Sequence, residues 1–464
     1  MHTTTPSTSH TLSTNTIATA VTAQRSYLLD TLSQLVAAPS PSGNETPACT
    51  TMEGLLQELG LTTERIPMDT DALSGHPLFS CPCSPDGNRF NLLAEINPPG
   101  DATPTGLNVL FNGHLDVVPT GPEHLWAKDP YQPYEQDGWL YGRGAGDMKG
   151  GIACVLAAIR TLQSLGLQPT SRIGINTVVD EEDTGNGTLT SLGVLQRARS
   201  KARYSGYDAV IIPEPFGETL MAAQIGVCWL TVTLTGRPAH VAYMNQGLNP
   251  IDAGIQIMQA LKQVQDEWNL PENRHPAFAH VSHPININLG TIEGGEWKSS
   301  VPCTCTMGIR ASFYPGRDAQ EAISWFSRFI TDTARRLNPD LEAKISNNGF
   351  AAPGCVYDLQ HPAMQALSQS HAALHGAPPT HLACTATTDG RHFRLATDWA
   401  VTNYGPTARN IHGIDECVSI DSMLRVTQTL VHYIVTQCGV VPITSSNVRR
   451  CCIKPAATAG RVTS

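Results

Sequence analysis

Short apolar stretches separated by helical patterns are the feature that most constrains the fold of this chain. Such continuous apolar runs are typical of strands that are buried on both faces of a sheet. They occupy residues 91–96, 107–113, 172–179, 208–212 and 399–405. After the second run, Ile152, Val155, Ile159 and Leu162 recur at the spacing of an amphipathic helix. This alternation predicts an α/β fold with a mixed, largely parallel sheet covered by helices.

The middle of the chain has a different pattern. A strand is followed by a helix that has Asn249 as its N-cap and Pro250 as its first residue, and that runs to about Trp268. Two further strands, a helix over residues 318–337 and a short strand over residues 341–345 complete a βαββαβ order. This order predicts an inserted α+β domain in the form of a two-layer sandwich.

The chain of 464 residues is too long for one ordinary domain. Its first residues are mostly Thr, Ser and small side chains, which offer too little apolar surface to offset the entropy of ordering. We predict five segments along the chain. They are a disordered N-terminal tail (1–23), the first part of the main domain (24–223), the inserted domain (224–347), the second part of the main domain (348–440) and a loose C-terminal tail (441–464).

Charge and hydropathy exclude several classes of protein. Lys and Arg number 30 against 40 Asp and Glu, a net charge of −10, so a nucleic-acid partner is not expected. No apolar stretch is long enough to span a membrane, and the N-terminus lacks the basic and apolar regions of a secretion signal. We therefore expect a cytoplasmic protein. The 13 cysteines form no paired C-x2-C modules and are expected to be mostly buried thiols.

Acidic and imidazole side chains follow the predicted buried strands. In an open α/β sheet the carboxyl ends of the strands converge on one crevice, so side chains at these ends can meet. The residues concerned are His114 and Asp116 after the second run, Asp180, Glu181 and Glu182 after the third, Glu214 after the fourth and His412 after the fifth. Asp147 lies in a glycine-rich turn just before the predicted helix and can reach the same crevice.

This donor set is typical of a metal site. Two imidazoles (His114, His412) and three carboxylates (Asp147, Glu182, Glu214) suit zinc or a related first-row ion. Three carboxylates in one cleft would otherwise repel and raise one another's pKa. Two divalent cations with a hydroxide balance their charge, with Asp147 as the shared ligand. We predict two divalent ions per chain, with zinc preferred and cobalt or manganese as alternatives.

Neighbouring acids are predicted to support these ligands. Asp116 lies two residues after His114 and can orient its ring. Glu181 and Glu182 point to different sides of an extended backbone, so one can bind metal while the other handles a proton. Taken singly, each of these patterns also fits a capping pair, a solvated acidic pair or a simple turn. Loops that cradle phosphate, serine hydrolase elbows and H-E-x-x-H helices are absent from the sequence.

Several motifs resemble those of the zinc amidohydrolase and peptidase family that includes acetylornithine deacetylase, succinyl-diaminopimelate desuccinylase, aminoacylase-1 and carboxypeptidase G2. The motifs are NGHLDVVP (112–119), GRGAGDMKGG (142–151), DEEDTGNGT (180–188), PEP (213–215), GRPAH (236–240), TTDGRHF (387–393) and NIHGIDECV (410–418). The resemblance spans residues 25–440 approximately, and the last two motifs are most similar to the desuccinylase and deacetylase branch.

The resemblance implies a role for each matching residue. His114, Asp147 and Glu214 would bind one zinc, and Asp147, Glu182 and His412 the other, with Glu181 as the general base. It also implies a homodimer through residues 224–347, a lid and dimerisation domain from which His240 reaches into the partner's active site. Arg310 would bind a substrate carboxylate, and Arg391 would add a second anion contact.

Two features depart from the family pattern. Ser299 stands where many members carry Asn in the lid motif, which affects the polar recognition of substrate. Residues 69–89 form an unusual insertion.

The predicted function is therefore that of a di-zinc amidohydrolase that cleaves the amide bond of a small N-acyl amino acid. A metallo-dipeptidase or carboxypeptidase would use the same metals on a peptide bond. A catalytically inactive metal-binding scaffold is an alternative of another class, although a scaffold has no need of an unligated carboxylate such as that of Glu181.

Overall fold

The computed structural model describes residues 12–99, 104–201 and 206–443, without the side chains of residues 197–201. The α-helices are α1 (Thr14–Ala23), α2 (Arg25–Val36), α3 (Thr46–Glu58), α4 (Thr70–Leu73), α5 (Gly151–Ser164), α6 (Asn186–Lys201), α7 (Pro250–Trp268), α8 (Ala319–Leu337), α9 (Pro362–His375), α10 (Gly390–Ala396) and α11 (Ile420–Tyr433). Among these residues, no helix is both long and apolar enough to cross a lipid bilayer.

Within the described ranges the strands form six sheets of two to six strands each. They are β1 (Thr63–Pro67), β2 (Phe90–Ile96), β3 (Val109–His114), β4 (Tyr134–Gln136), β5 (Trp139–Tyr141), β6 (Leu167–Pro169), β7 (Ile173–Val178), β8 (Ala209–Ile212), β9 (Leu220–Gln224), β10 (Gly226–Thr235), β11 (Ala239–His240), β12 (Ile287–Gly294), β13 (Ser300–Val301), β14 (Thr304–Phe313), β15 (Glu342–Ala352), β16 (Cys355–Val356), β17 (His381–Cys384), β18 (Ala400–Asn403), β19 (Ala408–Arg409), β20 (Cys417–Ser419) and β21 (Val440–Pro442).

A six-stranded sheet with the order β1-β2-β7-β3-β8-β18 forms the main layer. Strands β7, β3, β8 and β18 run parallel, whereas β1 and β2 pair antiparallel at one edge. Every residue of the four parallel strands is buried, which requires cover on both faces of the sheet. The predicted mixed, largely parallel sheet covered by helices is confirmed. Strand β3 lies between β7 and β8, so the three strand ends that carry acidic and imidazole residues are neighbours.

A four-stranded antiparallel sheet with the order β12-β14-β10-β15 forms a second layer, hereafter the four-stranded layer (residues 226–352). Helices α7 and α8 pack against it. As expected, Asn249 caps α7, and its side chain accepts a hydrogen bond from the backbone N–H of Ile251. Asp318, predicted as the first residue of the second helix, is the N-cap of α8 and accepts hydrogen bonds from two backbone N–H groups of the first turn. The strand predicted over residues 341–345 is longer and runs to Ala352, past the predicted boundary at residue 347. The division of the chain into domains stays a prediction.

The predicted disordered tail over residues 1–23 is wrong for Thr14–Ala23, which form α1. Ile17 and Val21 lie one helical turn apart and are fully buried, and α1 packs against α5 and α11. The signal was this single apolar pair, which the surrounding Thr residues obscured. Residues 1–11 lie outside the described part of the chain. At the other end, the predicted loose tail begins inside β21, which pairs with β6, and residues 444–464 are not described.

Candidate active site

The ends of three adjacent parallel strands supply most of the predicted site. His114 ends β3, Glu181 and Glu182 lie in the turn after β7, and Glu214 follows β8. Asp147 lies at a kink in the turn Ala145–Gly150 that leads into α5, and its own backbone is not helical, with φ of −109° and ψ of 99°. His412 belongs to the loop between β19 and β20 and has a left-handed backbone, with φ of 61°. These six residues are the sequence-predicted ligands and base, and the structure brings the five predicted ligands into two groups.

The first group contains His114, Asp147 and Glu214. The Nε2 atom of His114 lies 3.1 Å from Oδ1 of Asp147 and 4.0 Å from Oε1 of Glu214. Its Nδ1 atom lies 2.9 Å from the backbone carbonyl oxygen of Asp116. Because a carbonyl oxygen only accepts hydrogen bonds, Nδ1 carries a proton. Nε2, which faces the two carboxylates, is therefore the ring nitrogen that can bind a metal ion in place of a second proton.

Asp116 orients this ring differently from the expectation. Its carboxylate lies 3.7 Å from Nδ1 of His114, so the nearer contact is the backbone carbonyl of Asp116. The Oδ2 atom of the carboxylate accepts a hydrogen bond of 3.0 Å from the backbone N–H of Glu182. Asp116 therefore links the ends of β3 and β7. Its backbone carbonyl accepts a hydrogen bond from His114, and its carboxylate accepts one from the backbone of Glu182.

The second group contains Asp147, Glu182 and His412. The Nε2 atom of His412 lies 3.1 Å from Oε2 of Glu182 and 3.3 Å from Oδ2 of Asp147. Asp147 thus turns one carboxylate oxygen to each group. Within each group the potential ligand atoms all lie within 4.8 Å of one another.

These distances fit metal coordination. Ligand atoms about 2.0 Å from a tetrahedral zinc ion stand about 3.3 Å apart, which is close to three of the four measured separations. One oxygen of Glu182 and one of Glu181 are buried without a hydrogen-bond partner among the described residues, a costly state for a carboxylate. The residues of both groups are therefore suited to a pair of divalent cations.

The electrostatic field of the site also favours positive charge. Burial lowers the pKa of His114, but the carboxylates of Asp147 and Asp116 outweigh it and raise that pKa well above its usual range. Burial also lowers the pKa of His412, but its contacts with Asp147 and Glu182 outweigh this and raise the pKa to about 11. Protons and metal ions compete for such imidazoles, so the field that retains a proton also favours a cation.

Glu181 belongs to neither group. It is 6% exposed, lines the cleft beside the two groups and keeps Oε1 without a partner among the described residues. Burial raises the pKa of Glu181 well above its usual range, the neighbouring His114 opposes the rise, and nearby carboxylates such as Glu214 add to it. A carboxylate with raised proton affinity, next to two groups of possible metal ligands and belonging to neither, can accept and return a proton.

Glu416 holds the turn that carries Asp147, and it was not predicted from the sequence. Its carboxylate accepts hydrogen bonds from the backbone N–H groups of Gly144, Gly146 and Asp147 at 2.9–3.1 Å, and from Nη1 of Arg143 at 2.6 Å. The ion pair with Arg143 is fully buried. An acidic residue in the motif that also carries His412 was the available signal.

Arg89, at the end of the 69–89 insertion, holds the turn that carries Glu181 and Glu182. Its buried guanidinium donates hydrogen bonds to Glu45 and, at 2.7 Å, to Asp180, the residue that precedes Glu181. The insertion therefore helps to fix the turn after β7.

A cavity of about 510 Å³ lies between the metal-binding groups and the four-stranded layer. Arg310, on β14, lines it together with Glu181, Glu182 and His412. Arg391 is fully buried and donates hydrogen bonds to the backbone oxygens of Thr184 and Thr388, so it braces the site from behind.

His240 and Ser299 do not line this cavity. His240 ends β11, which pairs with β13, and the backbone N–H of Val241 donates a hydrogen bond to the Ser299 carbonyl. Within this chain the structure therefore brings Arg310 to the metal-binding groups and leaves His240 and Ser299 outside the lining.

A third group of possible ligands, Glu218, His371 and His375, lies away from this cleft. Its carboxylate is engaged already, since it accepts hydrogen bonds from Ser422 at 2.7 Å and from Nε of Arg425 at 2.9 Å. Both oxygens of Glu218 therefore have donors, whereas Glu182, in the second group around Asp147, keeps one oxygen without a hydrogen-bond partner among the described residues.

Comparison with known proteins agrees with this geometry. Residues 110–436 match the model of Peptidase family M20/M25/M40. The chain is 27% identical over 406 residues to succinyl-diaminopimelate desuccinylase of Coxiella burnetii, covering 87% of this chain and 97% of that protein. It is 24% identical over 423 residues to N-formyl-4-amino-5-aminomethyl-2-methylpyrimidine deformylase of Bacillus subtilis, covering 86% and 92%.

Solved structures share the fold. The dipeptidase Dug1p of Saccharomyces cerevisiae superposes with a TM-score of 0.73 at 14% identity, over 91% of this chain and 98% of that one. The YXEP protein of Bacillus subtilis, described as a dinuclear metal-binding peptidase of the M20 family, superposes with a TM-score of 0.59 at 14% identity, over 89% and 98%. With the family match over most of its length, the chain belongs to Peptidase family M20/M25/M40 and is a hydrolase that acts on amide bonds.

Proposed function

We propose that this enzyme uses two zinc ions, with cobalt or manganese as alternatives, to hydrolyse the amide bond of an N-acyl amino acid. The observation that carries the proposal is the pair of ligand groups that share Asp147, beside a buried carboxylate of Glu181 that belongs to neither. The names of the relatives support it, since both a desuccinylase and a deformylase remove an acyl group from an amine.

In this proposal each side chain has a defined role. His114, Asp147 and Glu214 hold one ion, and Asp147, Glu182 and His412 hold the other. When bound, such ions polarise the amide carbonyl and acidify a water molecule. Glu181 takes the proton from the attacking water and returns it to the departing amine.

The substrate is held from the other side of the cleft. Arg310 binds the carboxylate of the amino acid, because a guanidinium can donate two parallel hydrogen bonds to it. Arg391 fixes the turn around Thr184 through its backbone contacts, and any anion contact it makes is secondary.

Replacing Glu181 by Gln tests the role of the base. We expect E181Q to retain its metal content while kcat falls at least about a hundredfold, the scale of general-base loss. Metal content by elemental analysis and turnover of N-acetyl amino acids measure the two effects. The exposed Glu64 provides the matched control E64Q, and unchanged turnover in E181Q would reject the role.

A dipeptidase or carboxypeptidase activity is the second candidate, favoured by the likeness of the fold to Dug1p. A panel of N-acetyl, N-formyl and N-succinyl amino acids beside dipeptides, assayed with zinc, with cobalt and with chelator, separates the two. If no amide is hydrolysed under any of these conditions, the chain is a metal-binding scaffold instead.

We also propose that residues 224–347 form a lid and dimerisation domain, and that His240 stabilises the tetrahedral oxyanion in the partner's active site. Large apolar side chains exposed around the β11–β13 pair support this: Val241, Tyr243, Met244 and Trp297 are 45–73% exposed. Ser299 immediately precedes β13 and would affect polar recognition there.

Subunit mixing tests this arrangement. E181Q and His240→Ala are each expected to be nearly inactive, but a heterodimer of the two contains one site with both native residues. Activity should therefore return when the two variants are mixed after partial dissociation. A monomeric mass in sedimentation, or no recovery on mixing, would contradict the shared site.

A further inference from the structure

We propose that the cleft selects a substrate with a single carboxylate, bound by Arg310, whose neighbouring side chain is aromatic and packs on Trp229. A second carboxylate, such as that of a succinyl group, is disfavoured. This inference rests on the proposed amidohydrolase function and specifies its substrate class. It separates this chain from the relatives whose names include a succinyl substrate.

Arg310 is a cation without a counterion. Its Nη2 atom donates a hydrogen bond of 3.2 Å to the Thr385 carbonyl, and no carboxylate of the described residues lies within ion-pair distance. Burial lowers the pKa of the Arg310 guanidinium, and no acidic side chain is among the groups that oppose this shift. A half-buried guanidinium that faces a cavity with most of its five donors unused is suited to bind an anion.

Trp229 lies beside this anion site. Strands β10 and β14 are antiparallel, and Trp229 stands directly opposite Arg310 in their register. The Cβ atoms of such a pair are about 5 Å apart, with both side chains on the same face of the sheet. Both residues line the cavity, so a carboxylate on Arg310 places the adjoining side chain of the same amino acid over the indole.

The indole is held in a fixed position. It makes an edge-to-face contact with the ring of Phe350, whose centroid is 5.2 Å away. Behind it is Gly349, where an added Cβ would stand only 2.6 Å from the Trp229 ring and where φ is 86°. Trp229 and Phe350 therefore form an apolar wall that is already ordered, which suits an aromatic ligand.

The rest of the lining on the four-stranded side supplies no second cationic contact. Among the described residues that line the cavity, Arg310 is the one Lys or Arg, and the other polar residues on its side, such as Thr231 and Asn348, are neutral. On the opposite side, Glu181, Glu182 and His412 border the space that the proposed ions and the reacting amide occupy. An additional carboxylate on the four-stranded side would meet only neutral groups, so it would lose hydration without a compensating ion pair.

Two measurements on the metal-loaded, full-length enzyme test the inference. In hydrolysis, kcat/KM for N-acetylphenylalanine should exceed that for N-acetylalanine and for N-succinylphenylalanine by at least about tenfold. In binding, followed by tryptophan fluorescence or calorimetry, 3-phenylpropionate should bind at least about tenfold more tightly than propionate or succinate.

Variants of Trp229 test whether the apolar wall causes the preference for an aromatic side chain. Trp229→Ala should reduce the phenylalanine-to-alanine ratio to within about threefold of one, and Trp229→Phe should restore most of it. Thr233→Val, on the same strand and face but outside the lining, is the matched control and should keep the wild-type ratio. The circular dichroism and melting temperature of each variant show whether it folds.

The outcomes distinguish the two proposals. Absence of any amide hydrolysis overturns the proposed function, whereas the binding preference for 3-phenylpropionate is measured without turnover. Equal or tighter binding of succinate, equal binding of propionate, or faster hydrolysis of N-succinylphenylalanine or N-acetylalanine overturns the substrate class and leaves the amidohydrolase function intact.

Discussion

The two sides of the cleft are built in opposite ways. The rim of the six-stranded sheet concentrates buried acids and imidazoles, with the pKa of several of them displaced far from its usual range. The facing side of the four-stranded layer carries mostly neutral residues, a single guanidinium and an indole. The difference teaches that, in the proposed function, reactivity comes from charges that must be neutralised, whereas selectivity comes from shape and from one charge without a counterion.

The largest expected effect comes from Asp147, which serves both ligand groups. Asp147→Asn removes the shared charge, so both ions should be lost or weakened by more than the 10- to 100-fold that changes behind the ligands cost. Turnover should fall below detection, and metal content should fall to at most one equivalent per chain. Asp252→Asn, at the exposed start of α7, is the control. If D147N keeps two ions, the rim is not a single electrostatic unit.

A smaller effect is expected at Glu416, which contacts the Asp147 turn without reaching the metal-binding groups. In Glu416→Gln, the side-chain NH2 group would face backbone N–H groups of the turn, such as that of Asp147, which then lose their acceptor. Arg143 would also lose its buried counterion. We expect about 1–3 kcal/mol of lost stability and a 10- to 100-fold weaker metal affinity. Thermal unfolding and metal titration measure these, with the exposed Glu123→Gln as control. Native affinity in E416Q would show that the turn needs no such support.

The smallest effect concerns a histidine outside the rim, whose pKa is shifted in the opposite direction from those of His114 and His412. Burial, aided by His375, lowers the pKa of His371 to about 4, although Glu218 opposes this. Between pH 6.5 and about 4 the unfolded chain binds a proton that folded His371 does not, so the protein loses stability as the pH falls through this range.

His371→Gln removes this contribution. Its urea midpoint, measured on chelated protein, should therefore fall less than that of the wild type between pH 7 and about 4.5. The exposed His283→Gln should behave as the wild type does. A fall in H371Q as large as that of the wild type would show that His371 keeps its usual pKa.

The sequence predicts the sheet rim of the cleft better than the facing side. The five candidate ligands could be predicted because acids and imidazoles rarely gather by chance at the ends of buried strands in a chain with 15% charged residues. Their proximity in space could also be predicted, because neighbouring parallel strands end at the same edge of the sheet. The roles of these residues stay predictions.

The sequence does not reveal contacts made through the backbone or across long separations. The hold of the Asp116 carbonyl on His114 depends on the local turn, and the four contacts of Glu416 join residues about 270 positions apart. In the sequence, Trp229 is one more apolar residue of a strand. Its position beside Arg310 depends on the pairing register of two strands, which the sequence does not give. The sequence does not reveal α1, because only two of its residues, Ile17 and Val21, are apolar and fully buried.

The chain enters and leaves the four-stranded layer side by side. Val227 pairs with Ala352, and immediately outside the layer Gln224 pairs with Cys355, so two adjacent strands form a continuous stalk. An insertion whose ends already adjoin adds little closure entropy to the body that it interrupts. Exchange of this module at its two adjoining ends would therefore replace Arg310, Trp229 and the proposed contribution of His240 together, while the possible metal ligands on the other side of the cleft are inherited unchanged.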